Sequence, residues 1–171
     1  LFSRTPEPTT TLAFTPTKTE TPALSKTPTK AFTPTATPYP TEITDAKGIK
    51  MRLVPAGKFT MGSDVYDDEK PIHPISLDAF YMDIYEVTNA AYKACVTAGV
   101  CDPPKITSSY TRPSYYGNSQ FDEYPVNYVD WNQAKTYCEE WRDASLPTEA
   151  QWEKTARGAD GRAYPWGEGI D

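Results

Sequence analysis

Proline and threonine crowd the start of this chain: 8 Pro and 15 Thr fall within residues 1–44, so these two residue types fill 23 of the 44 positions. Each proline lacks a backbone donor and steers the residue before it away from the α region, so the tract builds neither a helix nor a central strand. Few of its residues are large and apolar. It is therefore expected to be a disordered, extended, polyproline-like linker or stalk, reaching about 130 Å at roughly 3.1 Å per residue. The tract repeats loosely: Ala13-Phe14-Thr15-Pro16-Thr17 returns as Ala31-Phe32-Thr33-Pro34-Thr35. Its composition fits a spacer, O-glycosylated on threonine or not, and equally a plain linker.

Residues 45–171 are expected to form the globular part. They hold all four tryptophans and all three cysteines, with 13 Lys+Arg against 20 Asp+Glu. The length suits one domain that buries about two-thirds of its unfolded surface. A surplus of acid with no basic cluster argues against nucleic acid as a partner. No run of about 18 apolar residues occurs, so no membrane insertion within this chain is expected. The first residue is Leu rather than Met, and residues 1–14 have no secretory-leader pattern. The chain is accordingly read as a fragment.

Beta structure is expected to open the globular part. Met51–Val54 and Phe59–Met61 flank Pro55-Ala56-Gly57-Lys58, a turn-forming sequence, and the two segments are expected to form a hairpin. Ile75–Leu77 and Phe80–Tyr85 are expected as a second extended pair around Asp78-Ala79. Helices follow. The first is capped by Thr88 or Asn89 and ended by Gly99; the second starts at Asp130 and carries Gln133 in the capping-box position; the third starts at Thr148 with Gln151 and ends at Gly158. Trp131, Ala134, Tyr137, Cys138 and Trp141 share one face of the second helix at ideal α spacing. Segregated strands and helices indicate an α+β fold.

Cys95 and Cys101 lie six residues apart. In a continuous helix that separation means about 9 Å of rise, beyond the roughly 7 Å that a disulfide spans, but a helix ended at Gly99 removes the obstacle. A possible disulfide between Cys95 and Cys101 is the preferred reading, with two free thiols or part of a metal site as alternatives. Cys138 reads as a buried thiol or as the partner of a cysteine outside this sequence. His73 has no nucleophile or second ligand nearby and reads as a structural hydrogen-bonding residue. The acidic run Asp64, Asp67, Asp68, Glu69 lacks the glycine and spacing of an EF-hand and reads as a solvated loop. Tyr110, Tyr115, Tyr116, Phe121, Tyr124 and Tyr128 either line a recognition surface or pin loops to the core. No catalytic or metal-binding residue emerges from these motifs.

Several blocks taken together carry more. Leu53-Val54-Pro55-Ala56-Gly57-Lys58-Phe59-Thr60-Met61-Gly62-Ser63, Glu69-Lys70-Pro71-Ile72-His73 and Phe80-Tyr81-Met82-Asp83-Ile84-Tyr85-Glu86-Val87-Thr88-Asn89 come first. Tyr124-Pro125-Val126-Asn127, Leu146-Pro147-Thr148-Glu149-Ala150-Gln151-Trp152-Glu153 and Tyr164-Pro165-Trp166-Gly167 follow in order. This series resembles the formylglycine-generating enzyme (sulfatase-modifying factor) family. The resemblance implies a C-type-lectin-like, irregular and loop-rich α+β fold that is incomplete at the C-terminus of this chain. It also implies an activity: oxidation of a sulfatase cysteine to formylglycine by oxygen, with copper(I) on two cysteine thiolates, and calcium bound elsewhere. In the family the thiolate pair lies downstream of the blocks seen here, so Cys95 and Cys101 do not match it.

One departure stands out. The family commonly has a glycine-containing turn before the Leu-Pro-Thr-Glu block, where this chain has Arg142-Asp143-Ala144-Ser145. Two functions follow from the resemblance. One is an oxidase acting on a sulfatase or another protein or peptide. The other is a non-catalytic binding or sensing domain displayed on a stalk and attached to a module such as a membrane-anchored kinase. An extracytoplasmic or cell-surface location in a bacterium is expected for either. Trp131, Trp141 and Trp152 are expected to lack part of their packing in residues 45–171 alone.

Overall fold

The computed structural model describes residues 3–4, 39–167 and 169. Strands β1 (Ser3–Arg4), β2 (Glu42–Thr44), β3 (Lys50–Val54) and β6 (Phe80–Asp83) form an antiparallel sheet in the order β1-β6-β3-β2. A separate ribbon pairs β4 (Gly57–Met61) with β5 (His73–Leu77). Because β2 already belongs to the sheet, the boundary expected after residue 44 cuts through it, and the ordered part begins upstream of Asp45. Most of the expected linker lies outside the described residues.

Both expected strand pairings are corrected. Met51–Val54 and Phe59–Met61 do not form a hairpin with each other: β3 pairs with β2 and β6, whereas β4 pairs with β5. Nor do the segments flanking Asp78-Ala79 pair, since Leu53 lies opposite Tyr81 and Phe59 opposite Ile75. The physical reason sits at the Pro55–Gly57 turn. Buried Lys154 donates from Nζ to Pro55 O at 2.7 Å and to Gly57 O at 3.0 Å. A distant ammonium thus takes the carbonyls that a tight turn would use, and the chain swings from one sheet into the other. Lacking a carboxylate partner in these contacts, the Lys154 ammonium has its pKa lowered by burial.

The helices start where local chemistry places them. Thr88 Oγ1 accepts from Ala91 N at 3.2 Å to cap α1 (Asn89–Thr97), and Gly99 at φ +74° lets the chain leave after it. Capping boxes formed by Asp130 with Gln133 and by Thr148 with Gln151 open α2 (Trp131–Thr136) and α3 (Glu149–Arg157). After Thr136 the second helix continues as a π turn over Tyr137–Trp141. The wider turn breaks the stripe expected at ideal spacing. Tyr137 and Cys138 are fully buried, while Trp131 is 65% exposed. Trp141 packs beneath the Lys47 ammonium, 3.4 Å from its ring centroid. Trp152 is also exposed, so two of the three tryptophans named above are short of cover.

The core brings α1 and the π turn together: Tyr92 stacks on Tyr137 with ring centroids 5.5 Å apart, beside Cys95, Cys101 and Cys138. The sheet is tied to this core by charge. Buried Arg142, just after the π turn, donates from Nη1 and Nη2 to Asp83 of β6 at 2.5 and 2.9 Å. Its Nε donates to Asp45 Oδ2 at 2.7 Å. Asp45 in turn accepts from Lys47 N and Ile49 N through its other oxygen, folding the β2–β3 turn around itself.

Asp143 adopts φ +52°. It supplies the left-handed residue of the turn where the family commonly has a glycine, a conformation that Asp tolerates better than most. Gly62 marks a tighter constraint, with φ +90° and a position where a Cβ would stand 2.4 Å from Glu69 O. Both atoms in that clash are backbone or backbone-fixed, so no side chain can move to relieve it. Gly62→Ala is expected to cost about 2–3 kcal/mol, combining the strain of the left-handed region with this clash. Urea denaturation of the full-length protein checks it, and a change within 0.5 kcal/mol, about the size of an ordinary surface substitution, contradicts it.

Candidate functional site

A cleft of about 590 Å³ opens between the β4–β5 ribbon, the acidic loop that joins its strands, and α3. Its floor is built around Gly62. Gly62 N donates to Glu153 Oε1 at 2.9 Å, and Arg157 Nη1 donates both to Gly62 O at 3.1 Å and to Glu153 Oε1 at 2.5 Å. This knot joins the end of β4 to the face of α3 and holds the cleft's width. Glu153 and Arg157 are one helical turn apart, the spacing at which such a pair meets.

The rim is aromatic and charged. Tyr66 and Trp152 are 64% and 54% exposed, and Tyr164 stacks on Trp166 with centroids 5.3 Å apart. Several charged groups of the loop satisfy one another: Ser63 Oγ donates to Glu69, and Lys70 Nζ pairs with Asp67 at 2.9 Å. The acidic run is thus a solvent-facing turn in which Asp67 and Glu69 are engaged locally, and among the described residues it forms no metal-binding group. Exposed His73 has its Nδ1 2.7 Å from Pro71 O and faces the cleft without a nucleophile on its ring in the hydrogen bonds found. The arrangement suits binding rather than acid–base or nucleophilic chemistry.

The cysteines do not line this cleft but belong to the core beside α1 and the π turn. Cys95 and Cys101 are joined by a disulfide with Cα atoms 5.3 Å apart. It closes the chain beyond α1 into a platform: Tyr92 OH donates to Asp102 O at 2.9 Å, Gln133 Nε2 donates to Pro103 O at 2.9 Å, and Lys105 pairs with Asp130 at 2.8 Å. Loop closure of this kind stabilises by restricting the unfolded chain. Cys138 is buried and free, its Sγ 2.8 Å from Ala134 O, and burial pushes its thiol up to about 12.

The aromatic cluster separates into two roles. Tyr115 is buried and donates to Pro125 O at 2.7 Å, and Phe121 packs on it with centroids 5.3 Å apart, pinning the loop that precedes α2. Tyr110 is 98% exposed. Arg112 covers Phe121 and Tyr124, its guanidinium carbon 5.0 and 5.6 Å from the two ring centroids. A smaller apolar hollow of about 250 Å³ lies beside α1 and α2, lined by Val87, Val126, Val129 and Leu146 among others.

Residues 38–171 match the sulfatase-modifying factor enzyme 1-like domain. The chain belongs to that family. Formylglycine-generating enzyme of Bos taurus is 33% identical over 162 residues, covering 71% of this chain and 43% of that protein. The inactive C-alpha-formylglycine-generating enzyme 2 of Bos taurus is 29% identical over 166 residues, covering 74% and 55%. The structure of PvdO from Pseudomonas aeruginosa superposes with a TM-score of 0.55 at 26% identity, covering 72% of this chain and 57% of that one. These matches agree with the loop-rich α+β architecture. The chain spans about half the length of the curated relatives it matches.

The family resemblance implies copper(I) and calcium, and the donors present do not fit either. Copper(I) calls for a pair of thiolates. Here two cysteines are spent in a disulfide and the third is buried and protonated. Among the described residues no three His, Cys, Asp or Glu side chains gather as a metal-binding group. Sequence reasoning missed the cleft and the Arg142 and Lys154 anchors, because each joins positions about 60 to 100 residues apart, at which no local pattern operates.

Thiol labelling checks the cysteine assignment in the full-length protein, read by peptide mass. Without reductant, Cys138 is expected to resist alkylation at pH 8 until denaturant is added, and Cys95 and Cys101 to be labelled only after reduction. Its neutral thiol keeps its stabilising contribution below the unfolded pKa of about 8.5 and loses it as pH rises towards 12. Native labelling of Cys138 at pH 8, or labelling of Cys95 without reductant, contradicts this.

Proposed function

We propose that the polypeptide carrying this chain is a formylglycine-generating oxidase that acts on a cysteine of a sulfatase, and that this chain supplies scaffold and binding surface rather than the reacting thiolates. The observation that carries the proposal is the family match across residues 38–171, together with the ordered loops that the sequence blocks build. The chemistry of the cysteines supports the division of labour. Neither the disulfide pair nor buried Cys138 offers a thiolate to oxygen or copper, so the oxidising residues belong to another part of the domain.

The same disulfide supports a location outside the cytoplasm, where cystines persist. The Thr/Pro tract fits that setting as a spacer between the domain and a membrane or an upstream module.

Full-length protein loaded with copper and incubated with oxygen and a peptide bearing a sulfatase motif is expected to convert the peptide's cysteine to an aldehyde, read by mass after hydrazide capture. No aldehyde contradicts the oxidase reading and leaves a non-catalytic binding domain of the same fold.

A further inference from the structure

The unpaired charge of the cleft has one sign. Asp68 and Glu149 both line it, and among the described residues neither carboxylate has a hydrogen bond or an ion pair. The cations of the cleft are engaged, Lys70 by Asp67 and Arg157 by Glu153 and Gly62. Glu149 and Trp152 stand three residues apart on α3, on one helical face, and Tyr66 neighbours Asp68 across the opening. Free carboxylates beside exposed aromatic faces complement a guanidinium or ammonium group, which can pair with the former and stack on the latter.

We propose that the cleft seats an arginine- or lysine-bearing segment of the domain's own polypeptide, from the portion of the family domain beyond the stretch this chain matches. The inference rests on the family assignment. The occupant is taken from the same polypeptide because this chain spans only 43% to 57% of the relatives quoted above, and because the rim leaves large aromatic surface uncovered. Exposed aromatic surface gathered at a cleft marks an interaction site. In this arrangement Trp152 and Tyr66 are interior walls of the complete domain, and the knot at Gly62 fixes the distance between them.

Hydroxyl-radical footprinting of the full-length protein tests the proposal, with Tyr66 of the urea-unfolded protein as the reference for full exposure. Tyr66 of the native protein is expected to oxidise at least fivefold more slowly than this reference. Replacing both acids, Asp68→Lys with Glu149→Lys, is expected to bring Tyr66 to within twofold of the reference. The milder pair Asp68→Asn with Glu149→Gln keeps the test usable if the first variant fails to fold, and an intermediate rate is expected from it. The proposal is overturned if Tyr66 of the unmodified native protein reacts as fast as the reference. It is also overturned if neither pair of substitutions changes the protection, since the cover is then not basic. Protection that appears only on adding a separate arginine-rich nonapeptide overturns it as well, by assigning the cleft to another molecule. Aldehyde formation is measured apart: aldehyde with an exposed Tyr66 defeats this inference alone, and a protected Tyr66 without aldehyde defeats the oxidase reading alone.

Discussion

One guanidinium holds the two halves of this structure together. Arg142 follows the helical core formed by α1 and the π turn, Asp83 belongs to the central strand β6, and Asp45 organises the turn between β2 and β3. All three side chains are at most 2% exposed. Two carboxylates meet one guanidinium out of water. Burial raises the Asp83 pKa although Arg142 pulls the other way, while the two acids hold the Arg142 guanidinium firmly protonated. Such a cluster contributes little net stability against a well-packed apolar replacement, but it is costly to break once built. Its consequence is geometric: strand, turn and helix end have one relative placement in which every charge is satisfied.

Lys154 plays a similar part for the ribbon. By donating to the Pro55 and Gly57 carbonyls it fixes α3 against the start of β4, and the Gly62, Glu153 and Arg157 knot fixes it against the end. The cleft is the space left between these two attachments. Its rigidity comes from the backbone groups used at both ends, and Tyr66 and Trp152 stand along its rim. The disulfide does the equivalent work beyond α1 by setting the loop that holds Asp130 and so the start of α2. Disulfide, ion cluster and knot therefore fix the relative placement of the elements around the cleft.

The parts of this architecture that were legible in the sequence are those determined within about four residues. Thr88, Asp130 and Thr148 each cap a helix because a short oxygen-bearing side chain reaches a backbone amide three residues on, and the two glutamines complete their capping boxes. Gly99 ended α1 and so allowed Cys95 to approach Cys101. The strand pairings failed because local turn chemistry at Pro55–Gly57 was overridden by a lysine 97 residues away from Gly57. The stripe on the second helix failed because a π turn changes the period, and nothing in Tyr137–Trp141 announces one. The family blocks revealed membership, since their order is the family's own, but not the cleft, whose lining combines residues of some blocks with others that lie between them.

The most direct measurement is a double-mutant cycle on Arg142 and Asp83 in the full-length protein, read by urea denaturation. Arg142→Met alone is expected to cost about 3–5 kcal/mol, because it strands two buried carboxylates. Combined with Asp83→Asn, the loss is expected to fall short of the sum of the single losses by at least about 2 kcal/mol. Additive single losses below about 1 kcal/mol each would contradict the view that this ion cluster sets the placement of sheet and helices.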